Sequence, residues 1–320
     1  MKKEYINYII LTILIWLWCA QLYSQQDAQY TQYMYNTSAI NPAYAGTRGA
    51  ASAVALYRNQ WAGIDGAPKT QVFAYHTPVG FNEKIGLGGN VINEKVGGLN
   101  ETGITADMSY KLDFSYHGSL HLGMKAGLNL LNSDFSQLQV FNENDELLET
   151  PIDNRISPII GLGVYFKTDS YYIGLSAPNI LETKHFDQSS LSSTSDAVSV
   201  LSRERINYYL MGGYVFNLSE TVKFKPAMLT KMVFGAPWQL DLSANFMINN
   251  KLVLGSSYRL GAAISLLTGY NIGNGVFLGL SYDRETTVLG NTNFNNGSFE
   301  FTLRYEPRKN KKRFLTPRFF

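Results

Sequence analysis

The stretch Thr102–Phe114 reads Thr-Gly-Ile-Thr-Ala-Asp-Met-Ser-Tyr-Lys-Leu-Asp-Phe. Successive side chains of a strand point to opposite faces. If this stretch is extended, Ile104, Ala106, Met108, Tyr110, Leu112 and Phe114 line one face, and Gly103, Thr105, Asp107, Ser109, Lys111 and Asp113 the other. A soluble sheet would load its polar face with Lys and Glu. Here that face carries small residues and single charges of both signs, as expected where apolar residues meet lipid and polar ones line a lumen.

Working outward, the pattern recurs. Ser119–Leu130 sets Leu120, Leu122, Met124, Ala126 and Leu128 against His121, Gly123, Lys125, Gly127 and Asn129. Trp238–Ile248 sets Trp238, Leu240, Leu242 and Phe246 against Gln239, Asp241, Ser243 and Asn245. Ser298–Tyr305 sets Phe299, Phe301, Leu303 and Tyr305 against Ser298, Glu300, Thr302 and Arg304. Such runs predict about fourteen strands, near 50–61, 68–77, 84–94, 101–115, 119–131, 155–167, 171–178, 206–217, 222–234, 238–248, 251–259, 263–272, 275–283 and 298–306. An even count suits a closed bacterial barrel. Loop lengths test that count independently. Short connections follow even-numbered strands, whereas the long ones, 132–154, 179–205 and 284–297, follow odd-numbered strands. Short periplasmic turns and long outer loops are the expected asymmetry; a miscount by one would scramble it. The fold expected is an all-β transmembrane antiparallel barrel over residues 50–306.

The chain opens with Lys2 and Lys3, then an apolar run Ile9–Ala20 and the polar Gln21–Asp27. This describes a cleaved secretory signal peptide over residues 1–24, since the run falls short of the ~20 residues of a spanning helix. Cys19 follows the bulky Trp16-Leu17-Trp18, a poor lipoprotein site, and its removal leaves a mature chain without cysteine. Only 16% of residues are charged and the net charge is +2, which excludes nucleic-acid binding by bulk electrostatics. Low charge with 21 Tyr suits a barrel with aromatic belts at both interfaces. The expected location is the outer membrane, in contact with its lipid, with both termini periplasmic.

Residues 25–49 are rich in aromatics and amides and include Tyr33-Met34-Tyr35-Asn36 and Ile40-Asn41-Pro42-Ala43-Tyr44-Ala45-Gly46. This composition favours packing inside a polar lumen, so the segment is expected to form an N-terminal plug. These two motifs resemble the N-terminal signature of the PorP/SprF family, outer-membrane proteins of the type IX secretion system of Bacteroidetes. Arg58-Asn59-Gln60-Trp61, Gly63–Pro68, Lys84–Gly88, Tyr172–Ser176, Ser281-Tyr282-Asp283 and Gly297–Glu300 extend the resemblance to the C-terminus. Phe299 stands where the family pattern has His, and Thr37 where proline is frequent. The signature residues are Tyr33, Asn36, Asn41, Pro42, Ala43, Tyr44, Gly46, Arg58 and Trp61. What the resemblance implies is a non-enzymatic barrel that binds and anchors a secreted, adhesin-like surface protein, of the kind used in gliding motility, through a type B C-terminal domain. It also implies contact with periplasmic or outer-membrane type IX components.

No catalytic constellation emerges, and no metal or cofactor is expected. His76, His117, His121 and His185 lack ligand-like company. Gly86-Leu87-Gly88-Gly89 lies mid-strand with no helix after it, so it is no phosphate loop. Asp107, Lys125, Asp241, Glu300 and Arg304 are the expected lumen charges, paired with one another or with the plug. Among the outer loops, Asn142, Glu143, Asp145, Glu146 and His185 are candidate contacts for the secreted partner, with a solvated loop surface as the bland alternative. The tail 307–320 is basic and expected to be periplasmic. The rival from another class is a channel for hydrophobic small solutes, because fourteen strands with an N-terminal hatch also describe fatty-acid transporters.

Overall fold

The computed structural model describes residues 29–80, 82–115, 118–134, 152–181 and 206–307. Fourteen strands make one sheet: β1 Ser52–Asn59, β2 Lys69–Val79, β3 Ile85–Val96, β4 Leu99–Ser115, β5 Gly118–Ser133, β6 Ile152–Thr168, β7 Tyr171–Ala177, β8 Asn207–Tyr214 continuing as Phe216–Asn217, β9 Val222–Val233, β10 Gln239–Ile248, β11 Leu252–Arg259, β12 Ala263–Gly273, β13 Val276–Glu285 and β14 Ser298–Tyr305. Each pairs antiparallel with the next, and β14 returns to β1 through Ala53↔Tyr305 to Asn59↔Phe299. Closure leaves no edge, so backbone groups facing lipid find partners within the sheet.

The break in β8 has a local cause. Ala227↔Gly213 and Phe224↔Phe216 share one register, which sets Pro226 opposite Tyr214. Proline has no N–H to give the ladder. Val215 bonds instead to the Ser170 carbonyl, 2.8 Å away in the β6–β7 turn. Asn249, Asn250 and Asn274 take φ of 50–54° at short turns, a region asparagine enters more readily than most residues.

Burial alternates as the sequence pattern requires. In β14 the inward Ser298, Glu300, Thr302 and Arg304 are buried while Phe299, Phe301, Leu303 and Tyr305 are exposed. In β4 Asp107 and Ser109 are buried between the exposed Ile104, Met108 and Tyr110. At the short-turn end, rings along β6 to β10 form a belt. Phe166 lies 5.9 Å from Tyr171, Tyr171 6.3 Å from Tyr214, Tyr214 4.4 Å from Phe216, Phe216 6.2 Å from Phe224, and Phe224 4.8 Å from Phe246. Belts of this kind sit at membrane–water interfaces. Met124, outward near the middle of β5 and 52% exposed, marks the lipid face. Met124→Arg is expected to cost about 2–4 kcal/mol by urea unfolding in lipid vesicles, whereas Ala236→Arg in the β9–β10 turn, outside the strands, stays near neutral.

Candidate functional site

The lumen is occupied by the chain's own residues 29–50, which turn back and forth through a helical turn, Thr37–Ile40, and a 3-10 turn, Pro42–Tyr44. From Tyr30 to Ala45 the core residues Tyr30, Tyr33, Met34, Tyr35, Ala39, Ile40, Ala43, Tyr44 and Ala45 are all buried. Asn41 starts the 3-10 turn by accepting from the Ala43 amide at 3.0 Å, and Pro42 supplies a φ suited to its first position.

Ile40 to Ala45 crosses a row of small residues. The register aligns Gly86 with Ser109, Ser109 with Gly123, Gly123 with Gly163, and Gly163 with Ser176, across β3 to β7. The serines donate to the segment: Ser109 Oγ to the Ala45 carbonyl at 2.7 Å and Ser176 Oγ to that of Ile40 at 3.0 Å. The glycines make room for it. A Cβ on Gly123 would overlap the Ala43 backbone, and one on Gly163 the Asn41 side chain. Asn41 also donates to the Val164 carbonyl at 3.1 Å. These contacts give the Ile40–Gly46 motif a physical reason for its residue types.

Charges fasten the segment at other points. Arg58, 2% exposed, donates to Asp283 at 2.7 Å, to Glu300 at 3.1 Å and to Thr31 Oγ1 at 3.0 Å. The Thr31 and Gln32 amides donate to the Glu300 carboxylate at 3.0 and 2.8 Å, and the Thr31 hydroxyl to Asp283 at 2.6 Å. Arg259 bridges Asp241 at 2.8 Å and Gln29 at 3.0 Å. Lys125 donates to the Ala39 carbonyl at 2.9 Å and pairs with Asp107 at 3.7 Å. Toward the short-turn end, Arg48 pairs with Glu306, and Lys167 donates to the Thr47 carbonyl at 2.6 Å. Burying such ions is costly unless each is paired and hydrogen-bonded.

Glu306 lies just beyond β14. Burial opposes its ionisation, but Arg48 and Arg304 outweigh that and hold its carboxyl down at about 2. A depressed folded pKa contributes stability at neutral pH that is lost as pH falls from about 4.5 towards 2. Glu306→Gln is therefore expected to remove part of the acid sensitivity in that window, read as a flatter dependence of unfolding midpoint on pH.

Of the expected lumen charges, Asp107 and Lys125 face each other across β4–β5, and Glu300 faces Arg58 across β14–β1. Arg304 instead lies over the Phe277 ring at 4.7 Å and near Glu306. Among the signature residues, Tyr33, Asn36, Asn41, Pro42, Ala43, Tyr44 and Arg58 are buried within the barrel. The Gly46 amide donates to His76 at 3.2 Å. Trp61 is elsewhere, in the turn after β1 with φ of 51°, its amide bonded to Ser298 Oγ at 3.0 Å. The expected loop contacts Asn142, Glu143, Asp145, Glu146 and His185, and the signal peptide 1–24, lie outside the described residues, as does the tail beyond 307. The sequence reading did not single out Thr31, Arg48, Arg259 or Glu306, and met Asp283 only within the Ser281-Tyr282-Asp283 motif. Arg259 and Asp283 carried the same inward parity as Ser257 and Ser281 and were findable by it.

No curated protein matches the sequence. Among solved structures, the outer membrane protein Omp33 of Acinetobacter baumannii is similar at 9% identity and TM-score 0.46, over 80% of this chain and 97% of that one. The KdgM porin is similar at 12% identity and TM-score 0.36, over 79% and 98%. Residues 22–305 match the model of a family described as type IX secretion system membrane protein PorP/SprF, so this outer-membrane β-barrel chain belongs to the PorP/SprF family.

Proposed function

We propose that this barrel is a closed docking component of the type IX system, binding and anchoring a secreted adhesin-like surface protein by its type B C-terminal domain. What supports this reading is the placement of residues 29–50 against the inner wall of the barrel. Residues 29–50 are tied to the wall by Arg58, Arg259, Lys125 and Lys167 together with the bonds of Ser109 and Ser176. A barrel stopped by its own chain offers its rim and loops for binding and not its interior for transport. Loop parity supports setting the long loops outside and both termini in the periplasm, after removal of residues 1–24. Residues 25–49 then act as the plug.

The rival channel for hydrophobic solutes requires an apolar pocket beside the segment. Among the described residues, one pocket beside the segment is lined by Met34 together with lysines, threonines and tyrosines, a mixed lining that suits a hydrophobic solute poorly. The test is purification from native outer membranes in mild detergent, with mass spectrometry of what accompanies the barrel. A stoichiometric surface protein, lost on deletion of its C-terminal domain, supports anchoring; a lone barrel carrying only fatty acid contradicts it.

A further inference from the structure

Residues 29–50 run through the barrel in one direction, and their contacts show which. The barrel has a short-turn end and an opposite, loop end that carries the β5–β6, β7–β8 and β13–β14 connections. β10 leaves the loop end at Gln239, and β11 returns to it at Arg259. Gln29 meets both of these strand ends. Its Nε2 donates to Gln239 Oε1 at 3.3 Å, and its Oε1 accepts from Arg259 Nη1 at 3.0 Å. Thr31 follows, donating to Asp283 late in β13 and to Glu300 early in β14. Further along, the Ala39 carbonyl accepts from Lys125, midway along β5. Only at its far side does the segment reach the short turns. There the Thr47 carbonyl accepts from Lys167, next to the last residue of β6, and Arg48 pairs with Glu306 just beyond β14.

The chain ahead of Gln29 therefore leaves from the loop end. A strand of ten residues such as β10 rises about 25 Å along the barrel axis, at ~3.4 Å per residue and the usual tilt. With residues 1–24 removed, only Gln25–Ala28 precede Gln29, and these reach at most about 14 Å. That is too short to return to the short-turn end.

We propose that the segment is threaded inward from the cell surface, so that the processed amino terminus is displayed at the loop end. It then forms part of the surface on which the docking reading seats the secreted domain. The inference rests on that reading for leader removal and for which end faces out. Strand parity alone sets the N-terminus beside the start of β1, in the periplasm; the path of the segment carries it across. Gln29 is only partly buried, and its contacts are amide and guanidinium hydrogen bonds, so a domain seated on this mouth meets polar groups there.

The test is cysteine accessibility in living cells, using the full-length chain, whose one cysteine, Cys19, lies in the leader. Gln29→Cys is compared with Thr287→Cys in the β13–β14 loop and Asp169→Cys in the β6–β7 turn. Each is treated with a maleimide polymer too large for general porins, before and after the outer membrane is permeabilised, and the mass shift is read on gels. On intact cells Gln29→Cys is expected to shift to the same extent as Thr287→Cys, while Asp169→Cys shifts only after permeabilisation. An epitope inserted between Asp27 and Ala28 reads the same point with an antibody where the loops shield Gln29, and is expected to be reached on intact cells. A Gln29→Cys side chain and an epitope reached only together with Asp169→Cys, or only once the barrel is unfolded, overturn the proposal. Labelling of Asp169→Cys but not Thr287→Cys on intact cells faults the orientation in the docking reading instead; the threading then stands if Gln29→Cys still follows Thr287→Cys and falls if it follows Asp169→Cys.

Discussion

Substituting Arg58→Met is expected to destabilise the barrel by about 3–5 kcal/mol, the usual cost of removing one partner from a buried ion pair. Arg58 is 2% exposed and serves two carboxylates, Asp283 and Glu300, which are equally buried. Its loss leaves two anions in a confined lumen and deprives Thr31 of a partner. Thr31 and Gln32 remain bonded to Glu300 through their amides, so the start of the segment would loosen without being freed. Arg58→Lys recovers only part of the loss, because a single ammonium replaces a fork that donates through both Nη1 and Nη2. Adding Asp283→Asn and Glu300→Gln to Arg58→Met restores most of it, since no uncompensated charge then remains. Urea unfolding followed by the shift between heat-modified and native gel bands reads all four proteins. A loss below about 1 kcal/mol in Arg58→Met would mean that water solvates these carboxylates and that the lumen is open there.

The second large effect comes from a glycine. Gly123→Val puts side-chain atoms where the Ala43 backbone and the Pro42 carbonyl carbon lie. β5 cannot retreat, being held by β4 and β6 through its length. The segment must yield. Overpacking ordinarily costs about 1–3 kcal/mol, and here the added side chain meets backbone and not a flexible side-chain end, so the upper end or beyond is expected. Displacing Ala43 also strains the Ala45 bond to Ser109 and the Ile40 bond to Ser176. The expected outcome is a barrel that still closes and shows native heat-modifiability, but whose residues 29–50 become cleavable by added protease. Gly80→Val makes the control: nothing lies within 4 Å of its added Cβ, and its cost is backbone strain at φ +81°, away from the segment.

The difference between these two sites shows what was legible in the sequence. Period-two alternation and loop parity gave all fourteen strands, because a barrel in lipid must satisfy both at once. In β4 and β14 the inward and outward sets are those the sequence separates. A closed barrel implies that Ser298–Tyr305 pairs with β1, but the register of that pairing could not be read. That pairing brings Arg58 to Glu300, and it joins residues 242 positions apart. The path of the segment was hidden for the same reason. Asn41-Pro42 signals a turn from local chemistry, whereas the row Gly86, Ser109, Gly123, Gly163 and Ser176 exists only once five strands are in register. Inward glycines such as Gly123 read, strand by strand, as room in the lumen for another segment, but not as a single row. Trp61 shows the limit of motif proximity: three residues from Arg58, it belongs to the turn and not to the lumen.

The central claim is that the chain's own N-terminal segment shuts the barrel, leaving it a platform for docking. Single-channel conductance in planar lipid bilayers tests this most directly, comparing the mature protein with one lacking residues 25–49. The account predicts no stable open steps from the mature protein and large ohmic steps from the deletion, matched by intermittent opening in Gly123→Val. Large, persistent steps from the mature protein, unchanged by the deletion, would contradict it.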